Sequence, residues 1–320
     1  MALCLARVQE YCCLWPITRA AAGARMANAA TAKTPTSHPA PHLPSADASA
    51  SAFAYAMLTD PGRVRHGNQD ACAAAPDHAA FVVCDGVGGA AGGEVASQLA
   101  AETFLEALQH SAANLPAEHP HARLHQAITA ANNAVFQRAQ KVRTLRGMAT
   151  TLVAALLEHG TSTNNGPRTA NNSCPILWLA HAGDSRAYLF RAEADGQPAT
   201  LRQLTCDHSL VEEQVRAGLL SRHDALRSPV RNVITRAIGA APSVEPEIAA
   251  HEIQPGDLYL LASDGLTREL TDLAIARILT AGAAICPTAA SLEAGARALI
   301  DAANTHGGRD NITVLLLACN

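Results

Sequence analysis

Three aspartates, each set at one end of a short apolar run, constrain this chain more than any other feature. Phe81-Val82-Val83-Cys84 has the length of a buried strand and delivers Asp85, followed by Gly86-Val87-Gly88-Gly89. Leu258-Tyr259-Leu260-Leu261-Ala262 delivers Ser263-Asp264-Gly265 in the same way. Gly307-Gly308-Arg309-Asp310-Asn311 stands just ahead of the apolar run Ile312–Leu317. A carboxylate at the end of a buried strand is costly unless a cation meets it there. Magnesium and manganese prefer oxygen ligands, carboxylates above all. Two ions held roughly 3.5–4 Å apart need a bridging carboxylate, and a glycine lets its own carbonyl face a metal. One Asp-Gly pair alone reads as a turn. Three such acids beside apolar strands point to a hard-metal site.

Apolar residues make up 48% of the chain but aromatics only 3%, so the core must be built from Leu, Val, Ile and Ala. A net charge of −4 with no basic block argues against nucleic acid as the main partner. No apolar stretch is long enough to span a membrane. The nine cysteines are odd in number and contain no CxxC pair, which fits a reducing cytosol better than a disulfide framework. No exposed apolar stripe calls for an oligomer, and the expectation is a cytoplasmic monomer.

Residues 1–52 are expected to form a disordered tail, because the Ala, Pro, Ser and Thr of Thr31–Ser51 cannot bury enough surface to offset their ordering entropy. Cys4–Ile17, broken by Glu10, does not read as a secretory signal. One domain is expected over 53–320. Strands are expected at Phe53–Thr59, Ala79–Cys84, Leu152–Leu157, Ile176–Ala182, Ala187–Arg191 and Leu201–Leu204, besides the two runs beside Asp264 and Asp310. The 3.6-residue period predicts helices over Glu94–His110, Ala122–Lys141, Thr271–Ala281 and Ser291–Asn304. Glu158–Cys174 reads as a polar hairpin loop, and Val211–Arg231 as helical at first, then irregular. Hairpin-linked strands with two separated helix pairs imply stacked antiparallel sheets covered by helices.

Other motifs are weaker. The glycine run Gly86–Gly93 lacks the Gly-Lys-Ser/Thr ending of a P-loop, and Ala91 replaces the last glycine of a dinucleotide fingerprint. His121 and His125 stand one helical turn apart with His119 nearby, but without a suitable third ligand they read as a solvated face. Ser209 beside His208 has no nucleophile elbow around it. Arg65 offers a planar fork that matches phosphate oxygens, although alone it reads as a surface charge.

Taken in order, the motifs resemble the PP2C-type (PPM) metal-dependent serine/threonine protein phosphatases, especially the bacterial branch. The resemblance covers about Tyr55–Leu317. It runs through Arg65-x-x-Asn68-Gln69-Asp70, Cys84-Asp85-Gly86-Val87-Gly88-Gly89, Gly147-Met148-Ala149-Thr150-Thr151 and Ala182-Gly183-Asp184-Ser185-Arg186. It continues through Asp207-His208-Ser209-Leu210, Ile234-Thr235-Arg236-Ala237-Ile238-Gly239, Ser263-Asp264-Gly265 and Gly308-Arg309-Asp310-Asn311-Ile312.

The resemblance implies an α+β fold, a four-layer αββα sandwich of two stacked, mainly antiparallel sheets flanked by helix pairs. It also implies two Mg²⁺ or Mn²⁺ ions in a cleft at the sandwich edge, with a weaker third. By position, Asp85 is expected to bridge the two ions and Asp264 and Asp310 to complete one shell. The Gly86 carbonyl would help hold the other ion, and Asp70 would act from close by through water. Asp184 matches the acid used for the third metal, Arg65 would grip the substrate phosphate, and Val211–Arg231 matches a flap beside the cleft. The implied activity is hydrolysis of phosphoserine and phosphothreonine in proteins by a metal-activated water, reversing a bacterial Ser/Thr kinase. Two residues depart from the pattern. Val87 stands where animal members carry a histidine that protonates the leaving group, and Gln69 where some members have Glu. A catalytically weak phosphoprotein sensor and a phosphatase of small phosphate esters are the alternatives. The sensor should have lost one of Asp85, Asp264 and Asp310, all of which are present.

Overall fold

The final strand, Ile312–Cys319, is buried at every position and explains the layering. A strand covered on both faces reads as an unbroken apolar run. Its Leu315 and Leu317 pack between two sheets with Phe81, Val83, Tyr259 and Leu261. The alternate residues Val314, Leu316 and Ala318 pack under a helical layer with Leu292, Ala296 and Leu299.

The computed structural model describes residues 53–114, 119–158, 175–192, 199–282 and 287–319, with backbone alone at 89–91 and 112–114. The expected disordered tail and nearly all of the expected hairpin loop at 158–174 lie outside these residues. In chain order the strands are β1 (Phe53–Asp60), β2 (Asp70–Ala75), β3 (Ala80–Val87), β4 (Ala149–Thr150), β5 (Leu152–Glu158), β6 (Ile176–Ala182), β7 (Arg186–Arg191), β8 (Thr200–Gln203), β9 (Glu247–Glu252), β10 (Leu258–Ala262) and β11 (Ile312–Cys319). The helices are α1 (Gly89–Asn114), α2 (Pro120–Lys141), α3 (Leu210–Arg216), α4 (Arg222–Ala225), α5 (Asp264–Glu269), α6 (Asp272–Ala281) and α7 (Ala289–His306).

One sheet runs β1-β11-β10-β7-β8 and the other β2-β3-β5-β6-β9, with β4 beside β3. Neighbouring strands pair antiparallel throughout. Phe104, Leu108, Leu124, Ile128 and Val135 of α1 and α2 cover the outer face of the second sheet against Val82, Leu152 and Ala154. Each fully buried side chain of this size stabilises by about 1.5–3 kcal/mol. α5, α6 and α7 cover the first sheet through Leu266, Ile275, Leu279 and Leu299. The layers are therefore helix, sheet, sheet, helix, as the resemblance implied.

β2, β9 and α5 were among the elements that went unread in the sequence. β2 (Asp-Ala-Cys-Ala-Ala-Ala) has few residues that favour a strand, and its pairing with β3 makes it one. β9 is largely exposed or half-buried and is held as an edge by β6. α5 is too short to display a helical period. β3 also runs two residues past Asp85, so that acid lies within the strand rather than beyond it.

A partly buried ion pair fixes the start of β7. Arg186 donates from Nε and Nη2 to both carboxylate oxygens of Asp207, at 2.9 and 2.7 Å, and from Nη1 to the Tyr188 hydroxyl. Asp207 also accepts from Gln203 Nε2 at 2.9 Å. Arg186→Ala leaves a mostly buried carboxylate without its cation and is expected to cost about 3 kcal/mol. Chemical denaturation measures this, and a loss under about 1 kcal/mol would place the pair with ordinary surface pairs instead.

Candidate active site

β3 and β10 finish at the same end of the sandwich where β2 and β11 begin, and a cleft of about 620 Å³ opens there. Arg65, Asp85, Gly86, Asp184, Asp264 and Asp310 all line it. Asp70 lies just behind, as the cross-strand partner of Asp85. Thus the structure brings together every residue that the sequence marked for the site.

The positions follow from local structure. Asp85 has the same strand parity as Phe81 and Val83, so it lies on the inner face of its sheet. Its backbone is pinned: its N–H donates to Thr151 Oγ1 at 3.0 Å, and its carbonyl accepts from Thr151 N–H and Thr150 Oγ1, both at 2.8 Å. Gly86 donates its N–H to the Gln69 carbonyl at 3.0 Å. Asn311 ties the Arg65 loop to β11. Its Nδ2 donates to the carbonyls of Pro61 and Gly67, and its Oδ1 accepts from Gln69 N–H. A chain of hydroxyls reaches Asp70. Thr313 Oγ1 donates to Asp70 Oδ2 at 2.7 Å, so Thr59 Oγ1 must donate to Thr313, and Asn68 Nδ2 in turn donates to Thr59.

Burial, and repulsion between the acids after it, set the electrostatics. Burial holds the Asp85 carboxyl well above the usual range, and repulsion from Asp70, Asp264, Asp184 and Asp310 adds to it. Asp264 is pushed up to about 8 by burial and then by Asp184, against the opposing pull of Arg268. Asp70 rises to about 6 through burial, opposed by hydrogen bonds from Ser263 and Thr313. Asp184 is raised by burial and lowered by Arg268. Asp70 Oδ1 and Asp264 Oδ1 are buried with no hydrogen-bond partner. Oxygen-only donors, crowded acids and two orphaned carboxylate oxygens fit a hard divalent cation.

The sequence missed Arg268, which lines the cleft and forms ion pairs with Asp264, with Asp310 at 3.5 Å and with Asp184 at 3.8 Å. Its signal was the four-residue spacing from Asp264, invisible without knowing that a helix starts there. Glu94, Thr151 and Asn232 also line the cleft and had gone unremarked as site residues. Val87 sits on the cleft wall, half exposed. The segment expected as a flap forms α3 and α4, and the residues that follow it, Asn232 and Ile234, reach the cleft.

The weaker motifs lie elsewhere. His119 Nδ1 caps α2 by accepting from His121 N–H, and His125 faces Glu245 at 3.9 Å. Ser209 caps α3 by accepting from Glu212 N–H. His181, His208 and Glu247 do gather three ligand-type atoms within 4.8 Å of one another. The two imidazoles stack nearly parallel at 4.6 Å, so their lone pairs run side by side rather than converge. Gly183 N–H donates to His208 Nδ1, His181 Nε2 meets the Cys206 carbonyl, and Arg236 supplies a cation. This cluster reads as packing.

Known proteins share this arrangement of sheets and helices. The family model for protein phosphatase 2C matches residues 63–164. The serine/threonine phosphatase Stp of Listeria welshimeri is 36% identical over 265 residues, covering 82% of this chain and 94% of that protein. This chain belongs to the protein phosphatase 2C family. The serine/threonine protein phosphatase PstP of Mycobacterium tuberculosis is 36% identical over 262 residues, which is 44% of its length. A crystal structure of PstP superposes with a TM-score of 0.67 at 35% identity, covering 84% of this chain and 99% of that one. Another structure, of the PstP catalytic domain, superposes with a TM-score of 0.63 at 34% identity and holds two manganese ions. Family membership thus spans nearly the whole described sandwich. Among the described residues no helix is long and apolar enough to cross a membrane.

Proposed function

We propose that this chain is a divalent-metal-dependent phosphatase that removes phosphate from phosphoserine and phosphothreonine in proteins. The observation that carries the reading is the convergence of Asp85, Asp184, Asp264 and Asp310 with Arg65 on one open cleft. Residues 53–320 form its catalytic domain. The side chains of Asp85, Asp264 and Asp310, with the Gly86 carbonyl, would hold the Mg²⁺ or Mn²⁺ ions. Asp184 would serve a further ion, and Asp70 would act from close by. Such ions, when bound, generate hydroxide at neutral pH and offset charge on a phosphoryl group.

The protein's own contribution is placement. The Thr59–Thr313 relay holds one oxygen of Asp70 and leaves the other buried without a hydrogen-bond partner. Arg65 pairs with Asp310 at 2.9 Å while half exposed, so it can turn its fork to phosphate oxygens at the mouth. The cleft, of about 620 Å³, has room for a phosphorylated side chain. Free Cys72, Cys84, Cys206 and Cys319 are consistent with a reducing compartment, and we place the protein in the cytoplasm as a monomer opposing a bacterial Ser/Thr kinase.

Phosphate release from a phosphothreonine peptide with Mn²⁺ tests the reading, and full activity in EDTA would overturn it. In the same assay Arg65→Ala is expected to lower kcat/KM by roughly 10–100-fold, the worth of charge-assisted hydrogen bonds. An unchanged kcat/KM would remove Arg65 from phosphate recognition.

A further inference from the structure

Arg268 is absent from the functional reading above, yet it touches more of the acid cluster than Arg65 does. One guanidinium reaches Asp264 Oδ2, Asp310 Oδ2 at 3.5 Å and Asp184 Oδ2 at 3.8 Å. Those acids come from three separate places: the start of α5, the turn before β11 and the turn after β6. α5 creates the contact, because residues four apart lie on one helical face and an acid N-terminal to a base is the favourable order. The side chain is 34% exposed, so it closes the cluster from the cleft side and has open space to swing into.

We propose that Arg268 is a built-in counter-cation: in the metal-free protein its guanidinium fills the place among Asp184, Asp264 and Asp310 that a divalent ion would take, and it must leave for that ion to bind. This rests on the metal-dependent reading of the cleft. A divalent ion seated among these carboxylates would lie beside the guanidinium and be repelled by it while the arginine stays in place. The metal-free fold is spared part of its acid repulsion, and ion affinity on the Asp184 side is weakened. Metal loading there is then an exchange of one cation for another rather than a simple capture. Arg65, which contacts Asp310 alone among these acids, has no such hold on the cluster.

Calorimetric titration of the full chain with Mn²⁺ tests the proposal on wild type and Arg268→Gln. The variant is expected to bind its weakest ion about tenfold tighter, since exposure and salt leave only part of the repulsion. It is also expected to melt below wild type in EDTA, with the gap closing at saturating Mn²⁺. A purely structural role would lower melting in both conditions and leave affinity unchanged. Equal or weaker Mn²⁺ binding by Arg268→Gln overturns the proposal alone, whereas no Mn²⁺ binding by either protein overturns the metal reading as well. Should the variant not fold, the wild type still decides. The Arg268 Nε–H resonance, assigned by its loss in Arg268→Lys, must shift as Mg²⁺ saturates the weakest site, and a fixed resonance overturns the proposal.

Discussion

Asp264→Asn is expected to lower phosphate release from a phosphothreonine peptide by at least about 10³-fold, the several kcal/mol that a displaced catalytic cation is worth. The same variant should melt no lower than wild type in EDTA. The reason is the sign of the Asp264 shift. Its carboxyl titrates at about 8, above its ordinary value, chiefly through burial and then through Asp184, and Arg268 recovers only part of this. A carboxyl whose folded value is raised resists ionisation in the fold, so stability is lost as pH rises from its ordinary value of 3.8 to about 8. Asparagine keeps the shape and removes that cost. Activity assays and thermal melts together separate this from general damage. Loss of activity with a collapsed melting temperature would mean that Asp264 is structural, and retained activity would remove it from the site.

Gly86→Ala is expected to lower turnover by a different route. A Cβ there would overlap the carbonyl of Gly93 and come within 2.6 Å of the carbonyl of Gln69. Both are backbone atoms that cannot swing aside, so β3 must separate from the start of α1 or from the Arg65 loop. Overpacking of this kind costs about 1–3 kcal/mol. The displacement falls next to Asp85, where a shift near 1 Å lowers turnover by roughly 10²-fold. Thermal melts and kcat on the purified variant measure both effects. Wild-type kcat would show that the Asp85–Gly86 backbone is not held where catalysis needs it.

How far the sequence revealed this molecule depended on burial. β3, β10 and β11 are covered on both faces, so their residues had to be apolar and the acids that follow or interrupt them stood out. The same contrast marked Asp85, Asp264 and Asp310, and the structure draws them to one cleft. β2 and β9 escaped because alanines, a histidine and glutamates at half-covered or exposed positions carry no strand pattern of their own. α5 escaped because six residues do not complete two turns. Arg268 was hidden with it, since its place among the acids exists only once Asp264 begins a helix. Asn311 was visible as part of a motif, but its three hydrogen bonds across the Arg65 loop depend on contacts more than 240 residues apart in sequence.

The most direct test of the central claim is anomalous diffraction from crystals soaked in Mn²⁺. Two manganese peaks are expected with the carboxylate of Asp85 between them, one also touching Asp264 and Asp310 and the other the Gly86 carbonyl. Crystals that hold manganese elsewhere, or not at all, while these four residues keep their places around the cleft would contradict it.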